Sequence, residues 1–322
     1  ATPPTSGSVS ITMAKQTVAI IGLGAMGTPM SQNFLAAGFD VVGYDLYAPA
    51  MEKLKTAGGR TAENAAAAAT GVDFVVSIVP NDKVLSSVVL DEKTGILQVM
   101  KKGAIHISCS TISPDTARIL AKHHEEAGSH YVGAPIFARA DGVAAKLASF
   151  VMGGKSEAVE TAIGLLKHTS NGQWHFGEDA GAGNVVKLAG NFLIAGAIES
   201  CAEALALAEG QGLDRIEVMS MLNSTIFDCL IYKGYGNRVA ARQHIPGQEL
   251  VGPGFQLTLG LKDLTLVNQT AASVNVPMPV ASLLQQRFLS SQARGRGGMD
   301  WSAIALAVSE DAGVDVRAAL PK

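Results

Sequence analysis

Thr17-Val-Ala-Ile-Ile-Gly22-Leu-Gly24-Ala-Met-Gly27 decides the reading of this chain. An apolar run fit for a buried strand ends on a glycine, and a GxGxxG pattern then opens onto a helical stretch, Ala25 to Ala37. Gly22 permits a tight turn, Gly24 keeps a Cβ out of the path of an approaching pyrophosphate, and Gly27 lets the helix pack closely on the strand. Phosphate oxygens would meet the free N–H groups and positive end of that helix, with Leu23, Ala25 and Met26 completing the turn around them. A glycine-rich turn that merely saves space shows the same pattern; the strand before it, the helix after it and a following acid separate the two readings.

That acid is Asp45, which ends the next strand, Val41-Val-Gly-Tyr-Asp45, eighteen positions beyond Gly27. A carboxylate there accepts both ribose hydroxyls of an adenosine and repels a 2′-phosphate, and no arginine follows to welcome one. NAD is expected over NADP. Lys53 and Lys55 are the groups that could soften this preference, and a solvated Asp45 capping the following helix is the structural alternative.

Outward from this motif, the chain to about Gly177 alternates short apolar runs with helical patterns, the sequence form of an α/β domain with a mostly parallel sheet. Strands are predicted over Thr17 to Gly22, Asp40 to Asp45, Asp73 to Val79, Gly103 to Ile107, His130 to Gly133, Ser149 to Met152 and Gln173 to Phe176. Helices are predicted over Met51 to Ala57 and Pro114 to Ala127, the latter with Ser113 as N-cap. After Gly183 the texture becomes long and Ala/Leu-rich, which predicts an all-α second domain with helices over Asn184 to Gln211, Arg215 to Ser224, Gln256 to Ala272, Val280 to Ala293 and Ser302 to Ala307. A loop is expected over 240–254. The expected organisation is a disordered extension or remnant over 1–14, with Met13 within it as the expected native start, a Rossmann domain over 15–180 and a helical domain over 181–322, joined by the long helix.

Composition narrows the partners. The 322 residues carry a net charge of -3 and a pI near 6.2, with no clustered basic patch, so nucleic acid is not an expected partner. Cys109, Cys201 and Cys229 show neither CxxC spacing nor histidine neighbours, which argues against a disulfide framework or zinc site and fits a reducing, cytoplasmic setting. His123, His124 and His168 lack carboxylates at ligand spacing, so no metal is expected. The apolar stretch Val185 to Ala208 is interrupted by Lys187, Asn191, Glu199 and Glu203, and is read as a buried helix rather than a membrane span.

A third motif begins that helix: Gly181-Ala-Gly183-Asn184-Val-Val-Lys187-Leu-Ala-Gly190-Asn191. Gly183, Lys187 and Asn191 recur every fourth residue and share one face, where the glycine would leave room for a ligand. An isolated helical lysine is commonly a solvated cation, but this helix is too apolar to have a broad solvent face. An ammonium placed there protonates a developing oxyanion, an amide beside it orients the substrate, and burial lowers the lysine pKa.

Together these motifs resemble the β-hydroxyacid dehydrogenase family, which includes 3-hydroxyisobutyrate dehydrogenases and tartronate and succinic semialdehyde reductases and is related to the 6-phosphogluconate dehydrogenase superfamily. The resemblance spans nearly everything after residue 15. Gly22 to Met30 resembles its GLGxMGxxM opening, Val79-Pro80-Asn81 its loop past the nicotinamide half, and Ser110-Thr111-Ile-Ser-Pro114 its STxxP segment, with Thr111 as a cofactor contact. Gly181 to Asn191 is similar to its GxGxxxKxxxN signature, and Phe255 with Lys262-Asp263-Leu264 to its FxxxLxxKDL segment, where the lysine closes over cofactor and substrate. It implies Lys187 and Asn191 as catalytic, small-molecule hydride transfer with NAD(H), and a homodimer or homotetramer.

The substrate loop departs from the family. Where the family reads close to DAPVSGG, this chain reads Gly133-Ala-Pro-Ile-Phe137-Ala-Arg139-Ala-Asp141-Gly142. Phe137 brings bulk, and Arg139 either binds a carboxylate or phosphate bidentately or pairs at the surface with Asp141. Phe137, Arg139, Gly183 and Phe255 are therefore the candidate substrate residues. Imine or enamine reduction on the same fold, and a non-catalytic dinucleotide sensor, are the alternatives; the retained lysine speaks against both.

Overall fold

The computed structural model describes residues 15–244, 253–314 and 316. The expectations for residues 1–14, and for most of the loop over 240–254, fall outside that range. The N-terminal half runs β1 (Thr17–Ile21), α1 (Gly27–Ala36), β2 (Asp40–Tyr44), α2 (Ala48–Thr56), β3 (Arg60–Thr61), α3 (Ala65–Ala69), β4 (Phe74–Ser77), α4 (Asp82–Leu90), β5 (Ile105–Ser108), α5 (Pro114–Ala127) and β6 (His130–Gly133). These strands form a parallel sheet in the order β3-β2-β1-β4-β5-β6. That order is the doubly wound arrangement whose crevice opens between β1 and β4 at their C-terminal ends.

Alternation along the strands builds two apolar layers. Val18 and Ile20 of β1 face Met30 and Phe34 of α1, whereas Ala19 and Ile21 belong with Leu85 and Val89 of α4 and Leu120 of α5. Ser113 caps α5 as expected, accepting from Thr116 N at 3.1 Å.

The chain then departs from a single sheet. It runs β7 (Ile136–Phe137), α6 (Ala140–Ala144), β8 (Ala148–Met152), α7 (Ser156–Leu166) and β9 (Ser170–His175), and these three strands make a second sheet, β7-β8-β9. The strands expected over Ser149 to Met152 and Gln173 to Phe176 are present, but they do not extend the parallel sheet. β7 pairs antiparallel with β8, and one isolated bridge, Gly133 to Gly153, ties the two sheets together.

The second half is helical: α8 (Ala182–Gly210), α9 (Arg215–Asn223), a π-helical turn Tyr232–Gly236, α10 (Asn237–Ala240), α11 (Leu257–Ser273), α12 (Pro279–Ala293) and α13 (Ile304–Asp311). The last expected helix, from Ser302, starts as the 3-10 turn Trp301–Ala303. α8 is long and apolar enough to cross a membrane by length and composition. It packs against α11 and α13, with Asn191 bonded to Asp263 and Glu199 to Arg287, while Val185, Leu193 and Leu207 on it stay exposed.

A buried polar row crosses the sheet. Ser77 Oγ lies 2.8 Å from His106 Nε2, His106 Nδ1 lies 3.0 Å from His124 Nε2, and His124 Nδ1 lies 2.8 Å from Ser129 Oγ. Burial pushes both imidazoles down, His124 to about 3, with the neighbouring His123 and His130 adding to the shift. The folded protein refuses protons that the unfolded chain takes up near pH 6.5, so this contribution to stability is present above that pH and is lost as pH falls towards about 3. Stability should fall by about 1.4 kcal/mol per pH unit for each imidazole below roughly pH 6.5. Thermal melts between about pH 7.5 and 5 check this: the native melting temperature drops on acidification, and His124→Gln shows a shallower slope. Equal slopes would contradict the reading.

Candidate active site

The crevice between β1 and β4 is built from main-chain contact. Gly22 has φ +98°, and a Cβ on it would stand 2.1 Å from Ile78 O. A Cβ on Gly27 would stand 1.9 Å from Gly22 O, whereas nothing lies within 4 Å of such an atom on Gly24. The first and third glycines therefore serve turn and packing, and the second leaves open the approach that a pyrophosphate needs. No side chain caps the N-terminus of α1, and Gly24 and Ala25 are exposed there. Leu23 differs from the expectation: its side chain is buried in the core and its N–H donates to Asp45 Oδ2 at 2.6 Å.

Asp45 Oδ1 accepts from Tyr47 N at 2.7 Å. Each carboxylate oxygen is thus anchored once and keeps a lone pair for a ribose hydroxyl. These residues fit NAD. Farther along, Val79 N donates to Ser110 Oγ at 2.8 Å, fixing the loop that carries Pro80. Asn81 is the N-cap of α4, its side-chain oxygen accepting from Val84 N at 3.0 Å, which fixes the residue at the mouth of the crevice with its side-chain amide N–H groups and its backbone left for a cofactor.

Lys262 reaches from α11 across to Thr111 O at 2.6 Å and pairs with Asp263 Oδ1 at 2.7 Å. Asp263 is buried, and its other oxygen accepts from Asn191 Nδ2 at 2.5 Å. One carboxylate therefore links both candidate lysine and amide helices. Sequence reasoning quoted Asp263 without giving it a role; an acid directly after Lys262 inside an apolar helix was the available signal.

Lys187 sits one turn before Asn191, with Nζ 4.2 Å from the centroid of the Phe137 ring. The ring lies against α8 at Gly190, where a Cβ would stand 2.3 Å from Phe137 Cζ. Burial draws the Lys187 pKa down to about 8; Asp263 opposes that fall and Lys262 assists it. The ammonium is thus poised near neutrality on an aromatic face. Gly183 corrects the expectation of ligand room. A Cβ there would meet Val151 O at 2.3 Å and Gly133 O at 2.9 Å, so the glycine admits the sheet backbone rather than a substrate.

Arg139 does not pair with Asp141, whose Oδ1 accepts from Gly142 N at 2.9 Å. Its guanidinium carbon lies 4.7 Å from the centroid of Tyr235 in the helical half. The Phe255 ring packs edge-on against Trp301, centroids 4.9 Å apart, in the same wall. Cys109 is buried and its thiol pKa is pushed up by burial, the state of an inert packing residue. Among the described residues no cluster suited to a metal ion occurs.

Comparison with known proteins agrees with this construction. The NAD binding domain of 6-phosphogluconate dehydrogenase matches residues 17–185, and the NAD-binding domain of NADP-dependent 3-hydroxyisobutyrate dehydrogenase matches residues 181–318. The 3-hydroxyisobutyrate dehydrogenase of Pseudomonas aeruginosa is 32% identical over 289 residues, covering 89% of this chain and 96% of its own length. The NAD-dependent L-serine dehydrogenase of the same organism is 31% identical over 287 residues, covering 89% and 96%. The crystal structure of 3-hydroxyisobutyrate dehydrogenase from Salmonella typhimurium superposes with a TM-score of 0.82 at 26% identity, over 91% of this chain and 100% of that one. An imine reductase from a Pseudomonas species shares the fold alone, at a TM-score of 0.59 and 20% identity. The chain belongs to the 3-hydroxyisobutyrate dehydrogenase family of NAD-binding oxidoreductases.

Proposed function

We propose that the chain interconverts a small hydroxy acid or related alcohol and its aldehyde or keto form with NAD(H), using Lys187 as the proton acceptor and donor. The observation that carries this reading is the desolvated Lys187, held near neutrality beside Phe137 and tied through Asn191, Asp263 and Lys262 to the dinucleotide half. Bound NAD(H) supplies the hydride chemistry. The neutral amine of Lys187 takes the hydroxyl proton in oxidation, and its ammonium returns that proton to the carbonyl oxygen in reduction. Asn191, fixed by Asp263, orients the same oxygen, and Lys262 holds the two halves together over the site.

Relatives named for 3-hydroxyisobutyrate and L-serine support a small hydroxy acid as substrate. An imine reductase would have no need of this lysine, and a mere sensor would have no need of a proton donor. Apolar side chains exposed on α8 and α12, among them Leu193, Leu207 and Leu283, support assembly into a homodimer or homotetramer.

Lys187→Ala is expected to lower turnover roughly a hundredfold or more while leaving NADH affinity, read by fluorescence, unchanged. Because the amine must be neutral to accept a proton, kcat/KM for alcohol oxidation should rise with pH through about 8, and that for reduction should fall over the same range. Full activity in the variant would remove Lys187 from the chemistry. Asp45→Asn keeps an acceptor for the turn while removing the charge, and should shrink the preference for NADH over NADPH by roughly tenfold in equilibrium titrations.

A further inference from the structure

We infer that Phe137 is a positioning residue for the proposed chemistry: its ring is the seat of the Lys187 ammonium, holding the proton donor in place without competing for its proton. The loop that carries Phe137 then acts on the reaction through the lysine. This rests on the dehydrogenase reading above and adds to it the group that steadies the reacting nitrogen.

The ring is itself fixed at both ends. Its backbone belongs to β7, where Phe137 pairs with Ser149 of β8. Its tip meets α8, where a Cβ on Gly190 would stand 2.3 Å from Phe137 Cζ and 2.5 Å from Cε1. Gly190 lies three positions after Lys187, so the two are neighbours on the helix surface. The glycine admits the edge of the ring, and the ring presents its face to the lysine, whose Nζ lies 4.2 Å from the centroid. That distance is within the range of cation–π attraction. A lysine on its flexible four-carbon stem gains a fixed resting place on a ring held in this way.

Lys187 has need of such a partner. Among the described residues no carboxylate lies in ion-pair contact with its Nζ and no acceptor hydrogen-bonds to it. The charged groups that bear on it both come from α11: Asp263 favours the ammonium, and Lys262 opposes it. Asp263 is itself bonded to Asn191 and paired with Lys262, so its field reaches Lys187 without a direct contact. Asn191, on the same helix as the lysine, brings no charge. Desolvation also works against the ammonium. An aromatic face attracts the ammonium far more than the neutral amine, and so supports the form that donates a proton.

A ring suits this place better than a carboxylate. A carboxylate in contact with the lysine would offer lone pairs to the very proton that the substrate oxygen has to receive. The ring face stabilises the charge and offers no such lone pair. In reduction it steadies the nitrogen up to the moment of proton transfer; in oxidation it stabilises the ammonium that forms as the hydroxyl proton arrives.

A decisive experiment keeps the shape of the ring and removes its charge distribution. Mono-, di- and trifluorinated phenylalanines at position 137 weaken the negative ring face stepwise at nearly constant size. The titration of Lys187 is followed directly in the intact protein, through the pH dependence of its arylation by fluorodinitrobenzene, read on the labelled peptide. From a native midpoint of about 8 it should move to lower pH with each fluorine, by about half a unit to one unit in the trifluorinated protein, and Phe137→Leu should move it the same way. The rising limb of kcat/KM for oxidation of 3-hydroxypropanoate by NAD should move by the same amount, with the KM for NAD unchanged. A midpoint indifferent to fluorination, or one that moves to higher pH when the ring is lost, as exclusion of water alone would produce, would overturn the inference. A fluorine-dependent midpoint without turnover of any hydroxy acid would instead sustain the seat and bring down the dehydrogenase reading.

Discussion

Main chain touches main chain where α8 leaves the Rossmann half, and the geometry of the site follows from that contact. A Cβ on Gly183 would collide with Val151 O, one on Gly153 would stand 2.2 Å from Asp179 O, and one on Gly133 would stand 2.4 Å from Ala180 O. These approaches leave no thickness for side chains between helix and sheets. The start of α8 is thereby fixed against β6 and β8, and Lys187 follows one turn later at a height set by the helix rise. Positional precision at the proton donor thus comes from backbone packing rather than from a bond to the lysine itself.

Electrostatics then depends on one buried carboxylate. Asp263 receives the amide of Asn191 and the ammonium of Lys262, and its field opposes the desolvation of Lys187. Without it Lys187 would be harder to keep protonated in an apolar surround, and Lys262 would lose the partner that steadies its reach to Thr111. Two lysines close together are tolerable because the acid lies between them in charge if not in sequence.

Much of this was legible in the chain, and the pattern of success is physical. The glycine turn, Asp45 and the spacing of Lys187 and Asn191 are local features, governed by turn chemistry and helix period, and a sequence displays those directly. Tertiary meetings are not displayed. The strands near Ser149 and Gln173 were recognisable as strands, yet periodicity does not say which neighbour a strand joins, and they form a sheet of their own. Gly183 resembled ligand space because a glycine does not declare what will occupy the volume beside it. Asp263, Tyr235 and Gly190 acquire meaning only when α8, α11 and the π-turn are brought against the loop that carries Phe137 and Arg139.

Phe137 and Gly190 share one volume, so the size of one sets what the other can be. A ring at position 137 can rest on α8 only while position 190 lacks a side chain, and a methyl group at 190 demands a smaller residue at 137. The constraint runs one way: position 190 cannot gain a side chain while the ring is present, whereas position 137 can shrink beside a retained glycine. The aromatic floor under Lys187 therefore takes two residues to build, a ring in the substrate loop and a glycine on the helix that carries the lysine, and a bulkier residue at 190 would remove it from outside the loop.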